Sequence, residues 1–169
     1  MIIEAYDGPH REAFLRLLRT TAAPYARTQF VPGHITASCF ILDPEGRLLL
    51  HHHRRLNRWL QMGGHLEPGE DPVAAALREG REESGLEDLR IVSEGIADLD
   101  VHPIPAGRGE PEHRHYDVRY IARTDSADSI AADARESNHL MWFDLDRAAA
   151  LMPGEESLRV IQKIRRVLR

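Results

Sequence analysis

Hydrophobic and polar positions follow two periods along this chain. Between Pro9 and Thr21, Phe14, Leu17 and Leu18 recur at helical spacing, which predicts a short amphipathic helix. Pro24 and the Val31-Pro32-Gly33 stretch then break the chain. Ile35 to Leu42 has the length and apolar character of a strand. Asp43-Pro44-Glu45-Gly46 reads as a turn into Arg47 to His53, the second arm of a hairpin. A polar connector, Arg54 to Arg58, leads to Trp59-Leu60-Gln61-Met62 and a glycine pair. Asp71 suits a helix N-cap, Pro72 the first helical position and Gly85 the residue just past the end, so a helix is predicted from Pro72 to Ser84. Short strands are predicted around Leu89 to Ser93, Gly95 to His102, His113 to Arg123 and Leu140 to Phe143. A Pro/Gly-rich loop, His102 to Pro111, separates the middle two. Residues 155 to 168 predict a last helix, with Leu158, Ile161, Ile164 or Arg165, and Leu168 as its candidate apolar face. Helices interspersed with strands, some in hairpins, predict a mixed α/β sandwich.

Composition narrows the class of protein without naming an activity. A chain of 169 residues, 42% hydrophobic and 29% charged, has the make-up of a globular domain with a proper core. The segment MIIEAYDGPHRE carries no basic region followed by an apolar stretch, and no apolar run approaches the roughly 20 residues that span a bilayer. Cys39 is the sole cysteine, which suits a reducing cytoplasm. The net charge of −5 argues against broad nucleic-acid binding. The expectation is therefore a cytoplasmic protein, monomeric or homodimeric, whose partner is a small molecule rather than nucleic acid or membrane.

One stretch is costly on its face. ALREGREESG, residues 76 to 85, places Glu79, Glu82 and Glu83 within five residues, with Gly80 among them. Residues three and four apart share a helix face, so the carboxylates cluster, and each like-charge pair costs a few tenths of a kcal/mol in an isolated helix. A hard divalent cation reverses that sign, because Mg²⁺ takes carboxylate oxygens and retains waters and phosphates. For three glutamates alone, a solvated face is the simpler account.

The context upstream changes the balance. GHLEPGEDPVAAALREGREESGL, residues 64 to 86, resembles the signature of the Nudix hydrolase family: Gly64, Glu70, Arg78, Glu79, Glu82, Glu83, Gly85 and Leu86 all match. Chance coincidence of seven fixed identities at one start is on the order of 10⁻⁸ or less at ordinary residue frequencies. Gly80 departs, standing where the family usually has a bulky aliphatic; close approach of the helix to the sheet would explain it. The resemblance implies a Nudix-type α/β/α sandwich with a mixed β-sheet, one domain over residues 1–169 with a short helical extension over 1–30. It implies cleavage of a diphosphate linkage in a nucleotide or nucleoside diphosphate derivative, with Mg²⁺, or Mn²⁺ in its place, as cofactor. Glu79, Glu82 and Glu83 would supply metal carboxylates, joined by the Gly63 carbonyl and by Glu136, an acidic residue shortly before the last strand. Arg78 would orient the glutamates, Glu70 would brace the loop, and Gly64 and Gly85 would shape the motif. The general base would be Glu79, Glu82 or Glu136.

Other polar residues are weighed against that site. His51, His52 and His53 are consecutive on a strand, so they alternate faces and cannot converge on one ion; ordinary strand-end residues are expected. Arg54, Arg55 and Arg58 precede the site loop, and Arg55 and Arg58 are candidates for a substrate phosphate. Trp59 suits a core or hinge position better than a base-stacking one. HRHYD, residues 113 to 117, resembles half of the zinc motif of the metallo-β-lactamase superfamily, but Val118 stands where a histidine would follow. His113, His115, Asp117 and Arg119 alternate with Tyr116, Val118 and Tyr120, and Asp98, Asp100 and His102 alternate likewise. These polar faces either line the substrate cleft, with His115 and Asp117 as binding residues, or form a solvent-facing sheet edge.

Two further function classes were compared. Isopentenyl-diphosphate isomerases share the implied fold but use a cysteine in a Cys-Cys-Ser-His-Pro context, whereas Cys39 sits alone in TASCFIL. A nucleotide- or ADP-ribose-binding module without turnover is the alternative to an enzyme, but such modules usually carry a degraded signature, and here its glutamates are intact.

Overall fold

The computed structural model describes residues 2–54, 56–107, 109–132 and 137–169. The order of elements is α1 (Ile2–Ala5), α2 (Arg11–Thr20), β1 (His34–Leu42), β2 (Leu48–His53), β3 (Arg58–Leu60), β4 (Met62–His65), α3 (Pro72–Ser84), β5 (Arg90–Ile91), β6 (Asp98–Ile104), β7 (His113–Arg123), β8 (Ser137–Phe143), α4 (Leu145–Leu151) and α5 (Glu155–Val167), with a 3₁₀ turn at Ala127–Ser129. The strands form one mixed sheet. β1 and β7 run parallel over nine paired positions, from His34 opposite His115 to Leu42 opposite Arg123. β6 and β5 add to β7 antiparallel, β4 adds to β1, and β3 and β8 flank β2. The β1–β2 hairpin is paired only at Leu42 and Leu48, so its arms diverge and curl the sheet.

All nine residues of β1 are buried, as expected of a central strand covered on both faces. One face is apolar throughout: Ile35, Ala37, Cys39 and Ile41 join Tyr116, Val118, Tyr120 and Ala122 of β7 in a core covered by α1, α2 and α3. Phe14 of α2 meets Tyr116 edge-on at 5.4 Å. The other face changes character along its length. Phe40, Leu42 and Ile121 pack in a second core with Val160, Ile161 and Ile164 of α5, while His34, Thr36 and Ser38 precede them on the same side of β1. The polar half of that face is where a site can form.

One expectation is corrected in part, and one open alternative is decided. Ile161 and Ile164 of α5 are buried as expected, but Val160 completes that face, and Leu158 and Leu168 are exposed, because the helix packs on the Phe40–Ile121 side of the sheet. The strand faces bearing Asp98, Asp100, His113, Asp117 and Arg119 are not a solvent-facing edge, since all five residues are at most 5% exposed. The curl of the sheet folds β6 and β7 inward over them. α1 and α4 were not predicted. The N-cap of α4, Asp144, accepts from the Arg147 amide at 2.8 Å.

Candidate active site

α3 begins as its sequence demands: the Asp71 side chain accepts from the Ala74 amide at 2.9 Å and Pro72 follows. It ends at Gly85, whose φ of 74° is left-handed and whose amide donates to the Arg81 carbonyl at 2.8 Å. Between these caps, Gly80 faces the sheet. A Cβ there would lie 2.8 Å from Cys39 Sγ and 2.9 Å from Leu89 Cδ1, so the helix can sit this close only without a side chain. The departure from the family pattern at Gly80 is thus a packing device.

That close packing brings the glutamates of α3 against β4. The buried Glu83 carboxylate accepts from the Gly63 amide at 2.9 Å. A Cβ on Gly64 would come within 2.5 Å of the Glu79 carboxylate, and one on Gly63 within 2.3 Å of Ser38 Cβ. Both glycines therefore clear room for carboxylate and backbone to meet. Arg78 ties the cluster together. Its guanidinium takes Glu70 in a fork, Nε to Oε1 and Nη2 to Oε2 at 3.0 Å each, and also reaches Glu79 at 3.0 Å, Glu82 at 3.3 Å and the His65 carbonyl at 2.8 Å. Hydrogen bonding to Glu70 is the main cause of an Arg78 pKa held above its ordinary value. Glu70 closes the loop by accepting from the Glu67 amide at 2.9 Å. Glu82 points most toward solvent, its side chain 57% exposed against 17% for Glu79.

These groups border a cleft of about 1390 Å³. The polar half of the β1, β6 and β7 faces also lines it, including Thr36, Ser38, Asp100, His115, Asp117 and Arg119. The Asp117 carboxylate accepts from Thr36 Oγ1 at 3.2 Å, Ser38 Oγ at 2.8 Å and Arg119 Nε at 3.0 Å. Arg119 also pairs with Asp100 at 2.9 Å. Burial works against the Asp100 carboxylate, but its bond to His102 and the Arg119 charge outweigh that and hold its pKa below the ordinary value. His115 is pushed down to about 2, first by burial and then by neighbouring histidines. Arg58, on β3, is exposed at the cleft rim. Arg55 and Glu136 lie outside the described residues.

Histidine placement departs from expectation in one respect. His51 is not an ordinary strand-end residue: it is 2% exposed, and burial pushes its pKa down to about 4. It sits opposite Leu60 of β3, and a bulge in the β2–β8 pairing separates it from His53. Trp59 packs edge-on against Phe143 at 4.9 Å, a core contact. His34 was not singled out from sequence, because nothing local distinguishes a histidine at a strand start. It is fully buried and stacks on His113 at 5.1 Å. Cys39 is also fully buried, its thiol donates to the Ala76 carbonyl at 3.2 Å, and burial pushes its pKa up.

Known proteins give this geometry a context. The family model for the NUDIX domain matches residues 32–163. The m7GpppN-mRNA hydrolase NUDT17 of Xenopus laevis is 32% identical over 108 residues, covering 60% of this chain and 36% of that protein. The asymmetrical bis(5'-nucleosyl)-tetraphosphatase of Rattus norvegicus is 30% identical over 118 residues, 69% of this chain and 76% of that protein. An isopentenyl-diphosphate Delta-isomerase of Streptomyces griseus is 39% identical over 94 residues, 50% of this chain and 47% of that protein. The chain thus spans well under two thirds of the frog and Streptomyces relatives and about three quarters of the rat one. Among solved structures, an Ap4A hydrolase of C. elegans superposes with a TM-score of 0.63 at 23% identity, over 79% of this chain and 96% of that one, which is a likeness of fold. With the model matched over residues 32–163 and its signature helix seated on Gly63 and Gly64, the chain belongs to the NUDIX domain family.

Proposed function

We propose that the protein is a Mg²⁺-dependent hydrolase of a diphosphate linkage in a nucleotide or nucleotide derivative. The observation that carries this is the clustering of Glu79, Glu82 and Glu83 on one end of α3, packed against the Gly63–Gly64 backbone and bridged by Arg78, at the edge of a large polar cleft. Such a donor set, hard carboxylate oxygens beside a backbone carbonyl, fits Mg²⁺, with Mn²⁺ as the substitute. Glu79, Glu82, Glu83 and the Gly63 carbonyl would hold the ion, with Glu136 as a further candidate. The ion supplies positive charge against the diphosphate and acidifies water at neutral pH.

The chain's own residues do the rest. Arg78 holds Glu79 and Glu82 at a fixed spacing, and Glu70 keeps Arg78 from rotating away. Glu79 or Glu82 accepts the proton of the attacking water; Glu82 is the more open to the cleft and Glu79 the more closely held. Arg58 receives substrate phosphate at the rim, with Arg55 as a further candidate. His115 lines the cleft as a candidate substrate contact, and Asp117 acts by holding Arg119. The rat and nematode relatives, named for tetraphosphate and Ap4A hydrolysis, make dinucleoside polyphosphates the first compounds to try. The buried, hydrogen-bonded Cys39 speaks against cysteine-dependent isomerase chemistry.

The test is product analysis by mass spectrometry over dinucleoside polyphosphates, nucleoside triphosphates and nucleotide sugars. Each would be run with Mg²⁺, with chelator, and with Glu82→Gln and Glu83→Gln. Loss of a metal carboxylate should lower turnover at least about 100-fold while the fold survives. Near wild-type turnover in both variants would remove the metal-site assignment. Tight binding of one compound with no turnover would instead establish a binding module.

A further inference from the structure

The start of β1 and the start of β7 bring together three histidines, of which the proposed hydrolysis uses only His115. One ring nitrogen from each of His34, His113 and His115 lies within 4.8 Å of the other two. His34 and His115 are direct neighbours in the parallel β1–β7 pairing, and His113 lies two residues before His115 on the same face. Phe30 packs against His34 and His113 and helps close the group from solvent.

The hydrogen bonds fix which nitrogens are available. His34 Nδ1 lies 3.1 Å from the Gln29 carbonyl, and His113 Nδ1 lies 2.8 Å from the Pro111 carbonyl. A carbonyl oxygen only accepts, so both Nδ1 atoms carry the proton, and each neutral ring presents an Nε2 lone pair. His34 Nε2 is buried and has no hydrogen-bond partner among the described residues, in a residue that is 0% exposed. An imidazole with one nitrogen donated to a backbone carbonyl and the other left as a bare lone pair has the arrangement that orients metal-bound histidines. His113 Nε2 and His115 Nε2 are 3.3 Å apart. A tetrahedral ion with bonds of about 2.0–2.1 Å needs ligand nitrogens separated by about 3.3–3.4 Å. A hydrogen bond from His115 to His113 could account for that one contact, but it would still leave the buried His34 nitrogen with nothing to accept from.

We propose that His34, His113 and His115 form a binding site for a borderline transition-metal dication, Zn²⁺ foremost, separate from the carboxylate site on α3. Three imidazole nitrogens suit Zn²⁺ and offer no oxygen to Mg²⁺. His65 is a further candidate donor: its ring is 5.1 Å from those of both His34 and His115, and its Nε2 is likewise buried without a hydrogen-bond partner among the described residues. The fourth position is therefore taken by His65 or faces the cleft that His65 and His115 border. A bound ion would tie the approach to β1 to the start of β7 and so stabilise the folded chain by mass action.

The experiment titrates Zn²⁺ into the chelator-stripped full-length chain in excess Mg²⁺, against a chromophoric competitor, and records X-ray absorption of the zinc-loaded wild type. One Zn²⁺ per chain should bind, at least tenfold more weakly in His34→Gln and in His113→Gln and within twofold of wild type in Glu82→Gln. The absorption spectrum should show imidazole ligation. Displacement of the zinc by Mg²⁺, loss of binding in Glu82→Gln alone, absence of zinc binding, or a spectrum of oxygen ligands only would overturn the proposal. Should the histidine variants fail to fold, the wild-type spectrum decides by itself. No readout depends on turnover, so this site and the hydrolase reading can fail independently.

Discussion

Arg78 grips Glu70 through two parallel N–H···O bonds, each 3.0 Å long, across the loop that precedes α3. The fork requires the planar guanidinium, which an ammonium cannot reproduce. Arg78→Lys should therefore keep the fold yet lower turnover by about 10- to 100-fold, as expected for a group that orients metal carboxylates. Steady-state kinetics alongside far-ultraviolet circular dichroism would read it, and an unchanged kcat would show that Arg78 is dispensable for positioning.

The same pair has a pH signature. Hydrogen bonding to Arg78 is the first cause that holds the Glu70 pKa below its ordinary value. A carboxylate depressed on folding adds stability that is present above its unfolded pKa, about 4.3, and is lost as pH falls through the lower folded value. Urea unfolding from pH 6 down to pH 3 should show wild type losing more stability on acidification than Glu70→Gln. Parallel curves would mean that the pair is energetically silent.

Gly80 makes a packing prediction. Helix propensity alone favours replacing a mid-helix glycine, by about 1 kcal/mol for alanine. The contacts at 2.8 and 2.9 Å with Cys39 Sγ and Leu89 Cδ1 oppose any larger side chain, and overpacking costs about 1–3 kcal/mol or more. Gly80→Leu should lower the melting temperature by several degrees. An equal or higher value would show that α3 does not depend on this approach.

Arg119 is the buried counterion of the cleft wall. It pairs with Asp117 at 3.0 Å and Asp100 at 2.9 Å, and stands 3.7 Å from Asp98. Asp98 in turn accepts from Tyr6 and Arg159, so the first and last helical segments meet at this network. Arg119→Met removes the charge that Asp100 and Asp117 share and leaves Asp98 to Arg159, and breaking a buried pair costs about 3–5 kcal/mol. Chemical denaturation should find a loss of that order; a loss under about 1 kcal/mol would place the carboxylates in effective contact with water.

Local chemistry made much of the site legible in advance. Asp71 caps through its side chain, Pro72 through its ring and Gly85 through the lack of a Cβ at a left-handed φ, so α3 could be bounded from sequence. Glu70, Arg78, Glu79, Glu82 and Glu83 are linked by helix periodicity and one short loop, so their convergence is nearly a local property. α5 was harder: Leu158 and Leu168 have the spacing of an apolar face, but the register of the helix on Phe40 and Ile121 buries Val160 instead.

Sequence by itself determined most of the longer elements, the capped helix and the cluster of carboxylates, because these follow from spacing within a few turns of chain. Only the tertiary structure decided where the polar halves of β1, β6 and β7 would face. The same alternation of His113, His115, Asp117 and Arg119 is compatible with a wet edge or a buried wall, and long-range strand pairing chooses between them. His34 meets His113 and His115 only because β1 and β7 pair in parallel in one register, a contact between residues some eighty positions apart that no local pattern encodes.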